Sequence, residues 1–150
     1  MTGQLEFKQG ENTMPKLNRI FTYPIKSTAG IALSNAWVDE LGLAFDRRFV
    51  LTNTDGQFIT ARTKAKLCLV QANLTAKGLI LTAPEMPTLW LNYDDFSTQY
   101  NPVTIWGDKL QGQFCGTNAS AWFSAYLNRP CRLLYFGEQS TRERTSKTTQ

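Results

Sequence analysis

Apolar residues recur in short runs that alternate with polar positions and stop at turn formers, the pattern of strands rather than helices over most of the chain. Leu17 to Tyr23 is the first run, and Pro24 ends it because proline cannot donate to a strand ladder. Ile31 to Val38 alternates apolar and polar residues and ends before Gly42. Arg47 to Thr52 and Gln57 to Arg62 flank Asn53-Thr54-Asp55-Gly56, whose Asp-Gly predicts a hairpin. Leu67 to Thr75 and Leu79 to Thr82 flank Lys77-Gly78 in the same way. Thr88 to Leu91, Val103 to Trp106 and Lys109 to Cys115 follow, the last two around a Gly107-Asp108 turn. The period then changes. Thr117 to Leu127 places Trp122, Phe123, Tyr126 and Leu127 on one helical stripe, with Asn118 as the expected cap and Asn128-Arg129-Pro130 as the stop. A last strand, Cys131 to Phe136, leads into polar sequence.

These elements predict a mainly β fold: a small mixed or antiparallel β-barrel with one C-terminal amphipathic helix at about 117–127. Residues 1–15 read as a polar leader, with Met14 as an alternative start; 16–137 form the barrel-like domain; 138–150 read as a polar linker or tail. The length, 150 residues, suits one domain. No apolar run approaches the ~20 residues of a membrane helix.

Composition narrows the chemistry by subtraction. There is no histidine, which removes Ser-His and Cys-His pairs and makes a metal site built by this chain improbable. The three cysteines, Cys68, Cys115 and Cys131, are odd in number and form no C-x-x-C pair, so a reducing, cytoplasmic setting is expected. Cys68, within Leu67-Cys68-Leu69-Val70, is expected to be a buried core thiol; Cys115 reads as a packed thiol at a strand-to-helix junction. Asp94-Asp95 reads as part of a polar turn. The net charge of +4 admits an anionic ligand but also ordinary solubility. The chain is therefore not expected to be a complete enzyme by itself.

Three segments could meet an anion. In Tyr23-Pro24-Ile25-Lys26-Ser27-Thr28-Ala29-Gly30, a lysine, two hydroxyls and a glycine directly follow a strand end, so backbone N–H groups, hydroxyls and an ammonium can face one anion. A solvated turn is the simpler reading. In Asp46-Arg47-Arg48-Phe49, neighbouring arginines on a strand point to opposite faces; a surface ion pair is the simpler reading there. Thr60-Ala61-Arg62 closes the return strand, so Lys26, Arg47 and Arg62 can converge only if the first strand ends nearby.

The ordered series Tyr-Pro-Ile-Lys-Ser with Gly30, Gly42-Leu43-Ala44-Phe45-Asp46-Arg47-Arg48-Phe49, Asp55-Gly56-Gln57-Phe58-Ile59-Thr60-Ala61-Arg62, Gly78 to Pro84, Ile105-Trp106-Gly107-Asp108 and the Trp122 to Leu127 helix resembles the MOSC N-terminal β-barrel domain. The likeness runs from about Leu17 to Thr145 and points to bacterial YcbX-type proteins and mitochondrial amidoxime-reducing components. It implies an accessory domain of a molybdenum-cofactor oxidoreductase that reduces N-hydroxylated compounds. It further implies that Lys26, Ser27 and Arg47 hold the pterin phosphate of the molybdenum cofactor (molybdopterin), with Thr60 and Arg62 as additional site residues and no catalytic or metal-ligating residue in this chain. The partner it implies is a MOSC domain, in the same or a separate chain, carrying the molybdenum-ligating cysteine; the cofactor is expected only with that domain. A 2Fe–2S ferredoxin domain or a flavin reductase is the implied electron donor. The chain ends where the MOSC domain is expected to begin, which fits either a piece of a longer protein or a short protein with a separate partner. The alternative is a stand-alone β-barrel binding module for a protein or nucleic acid; nucleic acid is disfavoured because no RNP-like aromatic motif is present, and no membrane association is expected.

Overall fold

The computed structural model describes residues 14–143. The expected leader lies largely, and the end of the expected tail wholly, outside them. Within them the chain is mainly β, as the run lengths predict. The strands are β1 (Ile20–Thr22), β2 (Ile31–Leu33), β3 (Val38–Asp39), β4 (Gly42–Leu43), β5 (Phe49–Thr52), β6 (Gln71–Thr75), β7 (Gly78–Thr82), β8 (Leu89–Asn92), β9 (Tyr100–Ile105), β10 (Asp108–Phe114), β11 (Arg132–Tyr135) and β12 (Arg142–Glu143). One helix, α1 (Thr117–Leu127), has the predicted bounds.

The long strand β10 organises the largest sheet. It pairs with β9 along one edge, and with β12 and β11 at opposite ends of the other edge; β11 continues to β5, all antiparallel. A second sheet is the meander β6-β7-β8, and β1-β2 and β3-β4 are two-stranded ribbons. Isolated bridges join these pieces: Ile25 to Phe49 and Gln57 to Thr104, both parallel, and Thr52 to Phe58, antiparallel. The antiparallel ladders and parallel bridges together give the mixed pairing expected.

Alternation fixes the core. In β5, Phe49 and Leu51 are buried while Val50 between them is partly exposed, and in β7 Leu79 and Leu81 bracket a half-buried Ile80 in the same way. The helix lays Trp122, Phe123, Tyr126 and Leu127 onto this core, as its stripe predicts. It packs against β11 and β8, and the Trp122 indole N–H donates to the Pro87 carbonyl at 2.7 Å.

Several local expectations change. The run from Leu67 does not begin as a strand: Ala65–Leu69 forms a 3-10 turn, and β6 starts only at Gln71. A turn rotates successive side chains by about a third of a circle, so Leu67 is buried while Cys68 and Leu69 face outward. Cys68 is thus an exposed thiol, not a core one. Ile31 to Val38 splits into β2 and β3. The Gln57 to Arg62 return forms no regular strand: it pairs back through the Asn53 N–H to the Gln57 carbonyl at 2.9 Å, the Phe58 bridge to Thr52 and the Ile59 N–H to the Leu51 carbonyl at 2.7 Å, before turning at Thr60. The β9–β10 turn is Trp106-Gly107, one residue earlier than expected, since Ile105 pairs with Asp108. The helix cap is Gly116, whose φ of 101° suits only glycine comfortably, and Asn118 makes no capping bond. Arg142–Glu143 pair with β10 within the polar tail.

Candidate functional site

Lys26 and Ser27 lie on a loop clamped from both sides. The segment after β1 runs beside the start of β5: Arg47 N–H donates to the Tyr23 carbonyl at 2.7 Å, Phe49 N–H to Pro24 at 3.0 Å, and Lys26 N–H to Phe49 at 2.9 Å. Ile25, fully buried, pins the loop to the core. The loop then closes through the Thr28 N–H and hydroxyl, which both donate to the Ile25 carbonyl at 3.2 and 2.9 Å. Ala29 N–H donates to Val70, tying the far side to the meander.

This closure requires left-handed backbone. Ser27 has φ 73°, and on the neighbouring segment Phe45 and Arg47 have φ 65° and 51°. Left-handed backbone costs a side-chain-bearing residue roughly 1–2 kcal/mol, and such positions persist only where the surroundings over-determine them. Two of the three are residues singled out from the sequence. Arg47 is therefore not a strand residue. Ser27 is half-buried, and among the described residues its hydroxyl makes no hydrogen bond.

The cations rest on aromatic rings. The Lys26 ammonium lies 5.6 Å from the Phe58 ring centre and 5.9 Å from that of Trp106. The Arg62 guanidinium lies 5.4 Å from the same Trp106 ring. Arg47 lies 5.4 Å from the Tyr23 ring and pairs with Asp46, whose other carboxylate oxygen accepts the Tyr23 N–H at 2.9 Å. Gly30 makes room for Tyr23: a Cβ there would stand 2.7 Å from the ring. Arg48 turns the other way, with both Asp39 oxygens at 2.8 Å. The surface ion pair is thus present at Arg47. Lys26 and Arg62 each lie near the Trp106 ring, whereas Arg47 shares the clamped backbone with Lys26 but keeps its own aromatic support. Thr60 serves the backbone: its carbonyl accepts Thr63 and Lys64 N–H at 3.1 and 2.9 Å, starting the turn that carries Arg62.

Sequence reasoning missed Phe58 and Trp106 as part of this cluster. The signal was faint: a tryptophan before Gly107 in a two-residue turn, where an asparagine or glycine is usual.

Two of the three thiols are withdrawn, Cys68 being the exposed one. Burial pushes the Cys115 thiol well above its usual range and also raises that of Cys131. Asp95 accepts the Asn92 amide at 3.2 Å in a short turn, a structural role. Among the described residues no group of three or more His, Cys, Asp or Glu side chains is placed to hold a metal ion. An open cleft of about 740 Å³ lies among Tyr93, Phe96, Tyr100, Gln113 and Tyr135, and none of Lys26, Ser27, Arg47, Thr60 or Arg62 lines it. The cation-bearing loops instead present a surface.

The family model for the MOSC N-terminal beta barrel domain matches residues 14–130. Molybdenum cofactor sulfurase of Danio rerio is 33% identical over 128 residues, covering 79% of this chain and 15% of that protein. Mitochondrial amidoxime-reducing component 1 of Mus musculus is 32% identical over 137 residues, covering 86% of this chain and 39% of that protein. The solution structure of a protein of Bordetella bronchiseptica has a TM-score of 0.52 at 23% identity, covering 69% of this chain and 88% of that one, and shows a shared fold. The chain thus spans well under half the length of the sulfurase and of the amidoxime-reducing component. The sulfurases extend the likeness beyond the reductases that the motifs suggested.

Proposed function

The chain belongs to the MOSC N-terminal beta barrel domain family, and from that premise we propose that it is the accessory domain of a molybdenum-cofactor oxidoreductase, holding the cofactor's pterin phosphate through Lys26, Ser27 and Arg47. The observation that carries this reading is the clamped pair of segments, in which Ser27 and Arg47 both take left-handed backbone while Lys26 N–H bonds Phe49 between them. Strain held by so many fixed bonds fits a binding loop better than a solvated turn.

The donor set suits a phosphate. The Lys26 ammonium and the Ser27 hydroxyl can each give a bond to an oxyanion, and the Arg47 guanidinium has N–H groups for one beyond the group that Asp46 takes. Arg62 and Thr60 stand at the margin, Arg62 as a further cation and Thr60 through the turn beneath it. When bound, the cofactor would supply the redox chemistry; the metal's protein ligand would come from a MOSC partner domain. In the complete protein the reaction is the reduction of N-hydroxylated compounds, as in the YcbX-type proteins that the motifs resemble, with a 2Fe–2S domain or flavin reductase as donor. The relatives named for amidoxime reduction support that activity, and those named sulfurases favour only the shared cofactor. Three free cysteines are compatible with a reducing, cytoplasmic compartment. No helix among the described residues is long and apolar enough to cross a membrane.

The test is a titration of the 150-residue chain with inorganic phosphate, followed by amide and side-chain NMR. Shifts centred on Lys26 to Thr28 are expected, with affinity about tenfold lower in Lys26→Ala, the loss of one charge-assisted bond. Unchanged affinity in both Lys26→Ala and Arg47→Ala overturns the reading.

A further inference from the structure

Trp106 breaks a local rule. It sits with Gly107 in the two-residue turn between β9 and β10, at φ 51° and 89° respectively, so an indole occupies a left-handed position that favours asparagine or glycine. It is also 63% exposed, so core packing does not explain it. What its ring does touch is specific. The Phe58 ring stands 5.0 Å away at 63°, edge to face. Phe58 is brought there by two tertiary ties, its own bridge to Thr52 and the bridge from Gln57 to Thr104 on β9. Against this aromatic pair lie the Lys26 ammonium and, at Trp106, the Arg62 guanidinium.

An aromatic face attracts a cation through its quadrupole and orients it without adding a counter-charge. A carboxylate in the same place would orient it and also cancel its field. Both devices occur here: Arg47 is paired with Asp46, whereas Arg62 rests on an indole and forms no ion pair among the described residues.

We infer that Trp106, braced by Phe58, is a positioning residue that aligns Lys26 and Arg62 on one oxyanion. The inference rests on the phosphate-binding reading and extends it: the site is wider than the loop at Lys26 and Ser27, and Arg62 is a direct anion contact. Trp106 itself touches no ligand. Its part is to narrow the rotamers of two long, flexible cations before the anion arrives, which removes ordering cost from binding.

The experiment compares Trp106→Leu, which keeps apolar bulk but has no π face, with Trp106→Phe, which keeps one. Trp106→Asn, suited to left-handed backbone, takes the place of the leucine variant if that one folds poorly. Inorganic phosphate is the probe, and each variant is also read for the ring-current displacement of the Lys26 ε-protons and Arg62 δ-protons. Expected in Trp106→Leu are a roughly five- to tenfold weaker phosphate affinity, loss of the Arg62 displacement and a reduced one at Lys26, which Phe58 also faces, all largely restored in Trp106→Phe, with Arg62→Ala weakening binding as well. Wild-type affinity in Trp106→Leu, alongside a loss in Lys26→Ala, overturns this inference and leaves the phosphate site standing. Wild-type affinity in Lys26→Ala, Arg47→Ala and Trp106→Leu alike overturns both.

Discussion

Ser27 shows how one residue can set stability against binding. Its φ of 73° is unfavourable for a side-chain-bearing residue and easy for glycine. Ser27→Gly is therefore expected to hold or raise stability by up to about 1 kcal/mol while weakening phosphate binding through loss of the hydroxyl. Denaturant midpoints and the phosphate titration together measure the two effects, and a parallel fall in both would refute the trade-off. Gly78 is the opposite case. A Cβ there would stand 1.9 Å from the Leu91 carbonyl oxygen, backbone against backbone in the β7–β8 pair. Gly78→Ala must push two strands apart, and a loss of at least about 3 kcal/mol is expected by urea unfolding. The thiols differ as sharply. Cys68 is exposed and Cys115 and Cys131 are buried, so a thiol reagent should label one cysteine quickly and the other two only as the chain opens. Fast labelling of Cys115 would contradict its burial.

At the scale of elements, the 3-10 turn and the helix are joined by a reciprocal pair. The Lys66 ammonium donates to the Tyr126 carbonyl at 2.9 Å and lies 4.6 Å from the Tyr126 ring centre, while the Tyr126 hydroxyl donates to the Lys66 carbonyl at 2.8 Å. The lysine thereby supplies a cation and a donor to the last turn of α1, where carbonyls lack helical partners. Lys66→Ala is expected to cost about 1–2 kcal/mol, seen as a lower denaturant midpoint with an unchanged slope; Lys66→Arg should recover part of it. The left-handed Asn128 then ends the helix, and its N–H returns to the Ala125 carbonyl. Here the stop read from the sequence and the observed stop coincide, because an Asn before Arg-Pro carries both the left-handed tolerance and the block to further helix.

For the whole molecule, the packed rings of Phe49, Tyr93, Phe96 and Tyr135 and the buried thiols shape the response to alkali. Burial raises the ionisation of Cys115 well above the ordinary thiol value of 9.0, and raises Tyr93 and Tyr135 above 10.0, with Arg48 partly opposing the shift at Tyr135. Each group is neutral when protonated, and the folded state holds its proton more tightly than the unfolded one. The associated stability is fully present below the unfolded values and is lost as pH rises through the folded ones. From neutral pH these groups should hold stability level to about pH 8–9 and then lower it, and Cys115→Ala should soften the first part of that fall, to which Cys131 also contributes. Unfolding curves between about pH 8 and 11 decide it; a pH-independent midpoint over that range would count against the buried cluster.

Local pattern determined much of this protein. Run lengths marked most strands, the 3.6-residue stripe set the helix bounds, and the Tyr-Pro-Ile-Lys-Ser and Asp-Arg-Arg-Phe motifs marked the loops that meet in space. Those signals are local because alternation, capping and turn chemistry act over a few residues. Tertiary structure decided what depends on distant partners. It turned the Cys68 run into a 3-10 turn, since the core needed Leu67 and Val70 but not the residues between them. It bent Arg47 out of its strand so that its N–H could reach Tyr23. It also brought Lys26, Phe58, Arg62 and Trp106, residues up to 80 positions apart in sequence, to one surface through three isolated bridges that leave no periodic trace in the chain.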